Sequence, residues 1–420
     1  MLARCERPLL ALLFCTALGT RLAWAMIIPP YQAPDERAHV RYAEYVVEHR
    51  RLPVQPAPEL PRLLGQWEQY FQPPLAYVLF APLTSLLGAA GVAEPRLVYA
   101  LRLQNAVYGA VTAVIGFWVM AALTPPADPR RWLAAVFMAF LPGFVGTTSA
   151  VNNDALANLL CAALWLPLVA ARPRRRPWVL GVVLGSACLA KLTVLPLVPM
   201  IAVVPLLRGE PPRAVLRDVV IGGGLAALFV APWMLRNVSL YGEPFGTSLA
   251  LLTFDWLAVR LPPEAVAAGS APEPLRAFLQ FWGRFGIFGN VSWRGVPAVM
   301  IPLALLGITG WLRRNASPGD ALTKLAIAFL LAVVLVAGVL ISYSLRYYAG
   351  WQGRYLYPAL LPASALLACG WARWIVPRRP WMAAGALFAI LAAVDASVGW
   401  KLHRFYAAAA PARWGLRVFL

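Results

Sequence analysis

Apolar and polar positions in this chain fall into long blocks, without the short-period alternation of a soluble helix or strand. Apolar runs cover about 8–28, 98–123, 131–149, 156–171, 178–190, 194–207, 215–235, 297–312, 323–343, 356–373 and 381–400, and short polar segments separate them. An α-helix needs about 20 apolar residues to cross the hydrocarbon of a bilayer. The pattern therefore predicts an all-α polytopic membrane protein with about 11 transmembrane helices. The pair 178–190 and 194–207 fits least well, being short and parted by Lys191. The first run has Arg4 and Arg7 before it, and Ala23-Trp24-Ala25 has the look of a signal-peptide cleavage site. The run continues through Met26-Ile27-Ile28, long enough to span, which predicts an uncleaved helix whose Arg21 snorkels toward the outer interface.

Composition agrees. Sixty per cent of residues are hydrophobic, only 13% are charged, and mean hydropathy is +0.66, whereas soluble domains carry about a quarter charged residues. A net charge of +19 would suit nucleic acid if the basic residues were gathered together. They are instead scattered in short clusters: Arg130-Arg131, Arg172 to Arg176, Arg208 to Arg217, Arg313-Arg314 and Arg373 to Arg379. Such clusters mark cytoplasmic loops, so a nucleic-acid partner is excluded and the chain is placed in a plasma (inner) membrane, N-terminus inside. One run, 74–90, breaks this order if it crosses, because Arg130-Arg131 would then fall outside. Laid in the outer interface, it restores the order and leaves a first external region of about 29–97. A second external loop spans about 236–296, and a basic tail, 401–420, follows a transmembrane domain of 1–400. The five cysteines lie in or beside apolar runs, and no CxxC, HExxH, Walker or GxGxxG pattern occurs.

This topology gathers the unusual polar residues at the outer rim. Asp35, His39 and Tyr42 follow the first run at helical spacing and share a face. Asp35 and Glu36 would equally suit the positive end of that helix. Tyr70-Phe71-Gln72-Pro73-Pro74-Leu75 opens the interfacial segment, and Asn152-Asn153-Asp154-Ala155-Leu156 sits between two runs, where Asn and Asp also serve as helix caps. Gln352-Gly353-Arg354-Tyr355-Leu356-Tyr357-Pro358 brings a cation into an apolar span. That is costly unless Arg354 meets an anion, though interface anchoring is the other reading. Arg236, behind Trp233, and Arg284, behind Trp282, repeat the theme.

Taken in order, the acidic pair, Gln-Pro-Pro-Leu, Asn-Asn-Asp-Ala-Leu and Gln-Gly-Arg-Tyr-Leu-Tyr-Pro resemble the GT-C superfamily of polyprenyl-phosphate-sugar glycosyltransferases over about residues 1–375. The nearest likeness is to a branch of predicted membrane proteins known as DUF2142, related to aminoarabinose and protein-mannosyl transferases. The resemblance implies a GT-C-like helical bundle with interfacial helices in a long first external loop. It also implies an inverting transfer of a sugar from a polyprenyl-phosphate donor to a glycan, lipid or protein acceptor at the external face, for cell-envelope glycan or glycolipid assembly. Asp35, with Glu36 beside it, would be the catalytic carboxylate. Asp154 and His39 would position the acceptor or a metal, and Arg354, Lys191 and Arg236 would hold the donor phosphate. A divalent metal (Mg, Mn or Zn) is compatible with those oxygen and imidazole ligands but is not required by their spacing. The alternative function is a non-enzymatic carrier or flippase of a lipid-linked sugar. Against it, the inner halves of the runs are almost wholly Leu, Ala and Val, with no polar path.

Overall fold

In a computed structural model of the 420-residue chain, residues 2–55, 69–92, 94–170, 175–246, 248, 273–285, 291–292, 294–313, 321–346, 352–374 and 380–408 are described. The elements are α1 (Leu2–Ile27), α2 (Glu36–His49), α3 (Leu75–Ala89), α4 (Arg96–Leu123), α5 (Pro129–Phe140), α6 (Pro142–Thr148), α7 (Asp154–Val169) and α8 (Arg176–Ala190). They continue with α9 (Met200–Leu207), α10 (Pro212–Arg217), α11 (Gly224–Tyr241), α12 (Glu273–Gly283), α13 (Gly295–Gly310), α14 (Ala321–Arg346), α15 (Leu360–Ala372) and α16 (Pro380–Ala408). Tighter 3₁₀ turns at Leu192–Leu197 and Gly353–Ala359 precede α9 and α15, and a π-turn at Asp218–Gly223 joins α10 to α11. Among the described residues the only strands are a two-residue antiparallel ladder, Arg284–Phe285 with Val291–Ser292. Most of the expected 236–296 loop lies outside the described residues. The expected tail begins as the last turns of α16, and residues 409–420 are outside the description.

The chain is a multi-pass membrane protein. Among the described residues, six helical stretches are long and apolar enough to cross a bilayer, or seven if α5 and α6 are one bent crossing. The other apolar runs form shorter helices, among them α7, α8 and α13. Their outward faces carry Leu12, Leu206, Leu228, Leu235, Ile308, Ile327 and Met382, all exposed. Lipid is the solvent for such a face, and the helices satisfy their own backbone within it.

The single straight run expected at 131–149 is bent by 56°. Pro142 has no N–H to continue the ladder, and Leu141 before it is pushed to an extended ψ of 113. The break frees carbonyls at the end of α5. Arg21 uses one: its guanidinium donates to Ala139 O at 2.9 Å, to Ala17 O at 3.0 Å and to Thr148 Oγ1 at 2.8 Å. Arg21 is fully buried, so the expected reach toward the interface is incorrect. A donor-rich side chain beside uncapped carbonyls is better served inside the bundle than at its edge.

Charged residues sort to two ends of the bundle. At one end Arg131 bonds Glu6 and the Thr124 carbonyl, while Arg176 bridges Glu210 and Asp218. At the other lie the C-terminal end of α1, the start of α4, the α6–α7 junction and Lys191 after α8. The amphipathic α2 buries Val40, Tyr42, Ala43 and Tyr45 at this second end and packs against α3.

α13 and α15 cross in close contact. A Cβ on Gly310 would overlap Gly370 O, and one on Gly370 would overlap Gly307 O. Trp311 Nε1 donates to Leu366 O at 3.0 Å and Trp371 Nε1 to Leu303 O at 2.7 Å, a reciprocal pair across the crossing. Gly310→Val should lower the thermal unfolding midpoint in detergent, because overpacking such a contact costs about 1–3 kcal/mol. Gly338→Ala, where a Cβ would meet nothing within 4 Å, should not. Equal midpoints for both variants would contradict this packing.

Candidate active site

The second end of the bundle is organised by a buried ion pair. Glu36, the first residue of α2, and Arg102, in the second turn of α4, are both fully buried. Arg102 donates Nε–H to Glu36 Oε1 at 2.8 Å and an Nη2–H to Oε2 at 2.6 Å. Its remaining N–H groups go to the carbonyls of Ala25, Ile28 and Pro29 at 2.6, 2.5 and 2.9 Å. Glu36 in turn accepts from Tyr31 N at 2.8 Å and Val151 N at 2.9 Å. All five guanidinium donors are thereby used, as a buried Arg requires. Glu36 is thus committed to the fold and is not brought to the site, although it adjoins Asp35.

Asp35 turns the other way. It precedes α2 at φ 59°, ψ 5°, a left-handed conformation that non-glycine residues hold at a cost of order 1 kcal/mol or more. Its side chain does not cap the helix. Instead, Arg354 in the turn before α15 donates Nη2–H to Asp35 Oδ2 at 2.5 Å. Arg354 Nη1 also lies 3.7 Å from Asp154 Oδ2. Asp154, at the start of α7, accepts from Lys191 Nζ at 2.7 Å through Oδ1. Its capping role falls to Asn152, whose Oδ1 accepts from Ala155 N at 3.1 Å. The two acids and two cations come from positions 35, 154, 191 and 354 and form one continuous cluster, with both cations near the Tyr355 ring.

A cavity of about 30 Å³, room for a few hydroxyl-sized groups, opens on this cluster. It is lined by Asp35, His39, Lys191, Arg354 and Tyr355, together with Gln69, Phe71, Gln72, Asn153 and Gln352. His39 shares a 2.9 Å hydrogen bond between its Nδ1 and Tyr77 Oη. Tyr77 stacks on Tyr42 with ring centroids 3.7 Å apart, which fixes α2 on α3. Burial pushes the His39 imidazole down to about 3, with Lys191 and Arg354 adding to the effect against Asp35 and Asp154, so it is neutral at physiological pH. Burial alone would raise the Asp35 carboxyl. Arg354, with Lys191 adding to it, outweighs this and holds Asp35 below the usual carboxylate range. Arg236 is not brought in: its Nη2 donates to the Leu52 and Pro53 carbonyls at 3.2 and 2.7 Å, tying α11 to the segment after α2. Both carboxylates of the cluster are paired with cations in this arrangement. No group of three His, Cys, Asp or Glu side chains comes together among the described residues.

Sequence reasoning missed Arg102 and the carboxamides. Arg102 carried a readable signal, a lone cation in the first turns of an apolar run, which demands an anion. Gln72, Asn153 and Gln352 stand in the quoted motifs, where only charged residues were drawn out. Gln69 carries no signal at all.

No family model matches the chain, so the DUF2142 branch finds no support. The polyprenol-phosphate-mannose-dependent alpha-(1-2)-phosphatidylinositol mannoside mannosyltransferase of Mycobacterium tuberculosis is 29% identical over 280 residues, 58% of this chain and 63% of that protein. The chain thus matches less than two thirds of that relative's length. Among solved structures, the apo oligosaccharyltransferase of Archaeoglobus fulgidus is similar over 96% of this chain and 56% of its own, with a TM-score of 0.52 at 12% identity. ArnT from Cupriavidus metallidurans bound to undecaprenyl phosphate is similar over 88% and 78%, with a TM-score of 0.40 at 13% identity. The chain shares its fold with the oligosaccharyltransferase, and the GT-C-like helical bundle expected from the motifs is the architecture found.

The division of labour between neighbouring acids is directly measurable. Glu36→Gln leaves Arg102 buried against a neutral partner, and breaking such a pair costs about 3–5 kcal/mol. It should collapse yield and the detergent unfolding midpoint. Asp35→Asn, at a part-exposed carboxylate, should leave both close to wild type. The reverse order of stabilities would contradict these assignments.

Proposed function

We propose that this protein is an inverting membrane glycosyltransferase that moves a sugar from a polyprenyl-phosphate donor to an acceptor hydroxyl. The observation that carries the reading is the joining of Asp35, Asp154, Lys191 and Arg354 in one ionic cluster at one end of an apolar bundle, with Asp35, Lys191 and Arg354 lining a cavity there. The oligosaccharyltransferase fold and the mannosyltransferase relative support it. That relative's dependence on polyprenol-phosphate-mannose makes a mannosyl lipid the first donor to test.

The chemistry needs a base and an anion clamp. Asp35 takes the acceptor hydroxyl proton as that oxygen attacks the anomeric carbon. The bond from the anomeric carbon to the phosphate oxygen breaks, and the electron pair leaves with the polyprenyl phosphate. Arg354, whose planar fork matches phosphate oxygens, and Lys191, a compact charge, offset the charge that develops there. Asp154 holds Lys191 in place at 2.7 Å. Because Arg354 pairs with Asp35 here, a phosphate that draws Arg354 away also frees the carboxylate. Losing that cation moves Asp35 back toward its ordinary basicity, which improves it as a base.

The orientation follows from charge. The end opposite the cavity carries Arg131, Arg175, Arg176, Arg208, Arg213, Arg217, Arg313 and Arg373, the excess that marks a cytoplasmic side. The cavity then faces outward from the plasma (inner) membrane, toward a cell-envelope glycan or glycolipid acceptor. In a cysteine-free background, an impermeant thiol reagent should label intact cells at position 48, on the exposed part of α2, and not at position 175. The opposite pattern would overturn this orientation.

Asp35→Asn should cut turnover of a lipid-linked sugar by about 10²–10⁴-fold, the usual contribution of a general base. The pH profile supplies a second test. A carboxyl held low stays ionised as pH rises, and loses its role only as pH falls through its folded value, below about 4. His39, at about 3, is neutral through the same range. The acid side of the wild-type kcat/KM profile, which reports the free enzyme, should therefore be flat from about pH 5 to 8. An acid limb near pH 6.5 would assign the base to a histidine.

A further inference from the structure

One wall of the cavity is built of carboxamides and is not used by the ionic cluster. Asn153 Nδ2 donates to Gln72 Oε1 at 3.3 Å and to Ala190 O at 3.1 Å. Gln72 Nε2 in turn donates to Gln69 Oε1 at 3.0 Å. The amides thus form a directed chain, each giving a hydrogen to the next. The chain ends in an acceptor, Asn153 Oδ1, and in a donor, the Gln69 amide nitrogen. Asn153 is fully buried, and its Oδ1 has no hydrogen-bond partner. An orphaned buried acceptor beside a cavity is costly in the fold unless something arrives to donate to it.

A hydroxyl is the complementary group, because it donates and accepts at once. Neighbouring sugar hydroxyls meet the needs of both ends of the amide chain, and Phe71 on the same wall offers an apolar face to ring C–H groups. Among the described residues Asp35 is the one carboxylate that lines the cavity, and its task as base leaves it no charge to offer a cationic sugar, which favours a neutral one.

We propose that Gln69, Gln72 and Asn153 form the subsite for the hydroxyls of a neutral donor sugar, next to the Lys191–Arg354 phosphate clamp. The assignment rests on the glycosyl-transfer reading of the same cavity. The backbone supports its rigidity. Gln55 Oε1 accepts from Tyr70 N and Phe71 N at 3.0 and 3.2 Å, so the segment carrying Gln69 and Gln72 is pinned at two consecutive amides between them.

The test compares two lipids on the purified full chain in lipid nanodiscs: polyprenyl-phosphate mannose, and polyprenyl phosphate without sugar. Gln72→Ala and Gln69→Ala should each weaken binding of the mannosyl lipid by about tenfold, while binding of the sugar-free lipid stays within about twofold of wild type. Asn153 is left intact, because it also holds Ala190. Equal losses for both lipids would show that the amides serve the phosphate or the fold, and would overturn the proposal. No loss for either lipid, or a rise only in the KM for the acceptor, would overturn it as well. A wild-type chain that transfers no sugar would instead sink the glycosyltransferase reading, whatever the amides do.

Discussion

The site depends on one buried ion pair that contains no catalytic group. Glu36 and Arg102 lie where four pieces of chain meet: the end of α1, the start of α2, the second turn of α4 and the loop before α7. Arg102 collects the last carbonyls of α1 and those just past its end, while Glu36 collects the amides of Tyr31 and Val151. In a low-dielectric interior neither charge is tolerable alone, and together they fix the geometry of everything attached to them. With Glu36 turned inward, the left-handed turn at Asp35 sends the adjacent carboxylate the opposite way. The bond to Val151 N holds the segment that ends in Asn153 and Asp154. Both acids of the ionic cluster are therefore set by a pair that lies outside it.

Around that anchor the charge balance is simple. Asp35 and Asp154 carry two negative charges, Lys191 and Arg354 two positive ones, and His39 is neutral. A balanced cluster can be buried at the end of an apolar bundle without a counter-ion. The interior below it is held differently. Arg21 donates to a carbonyl freed by the Pro142 bend, and α13 and α15 approach through glycines. These devices suit a lipid environment, where association rests on close packing and satisfied polar groups.

The helices were legible because their signal is long and apolar, and every run marked from 98 to 400 coincides with a helical segment. The bend at 141 was less so, although Pro142 announces it. A proline inside an apolar run is tolerated in membranes as often as it kinks, and the outcome depends on which neighbour takes the freed carbonyls. The ionic cluster was legible because charge in an apolar context is conspicuous: Asp35, His39, Asp154, Lys191 and Arg354 were all drawn from the sequence, and all meet. Pairing was not legible. Glu36 and Asp35 are adjacent and identical in kind, and only a partner 66 positions away separates their roles. Arg236 looked like a phosphate ligand for the same reason Arg354 did, yet it is spent on two backbone carbonyls. Neutral amides such as Gln69 give no such contrast and are found only when the fold brings them to a wall.

The central claim is that Arg354 and Lys191 receive a lipid phosphate and that Arg354 leaves Asp35 to do so. Electron cryomicroscopy of the chain in nanodiscs loaded with a polyprenyl phosphate tests this directly. The account predicts phosphate density within about 3 Å of the Arg354 and Lys191 nitrogens, with the Asp35–Arg354 contact opened. Phosphate density elsewhere on the bundle, with that contact still closed, would contradict it.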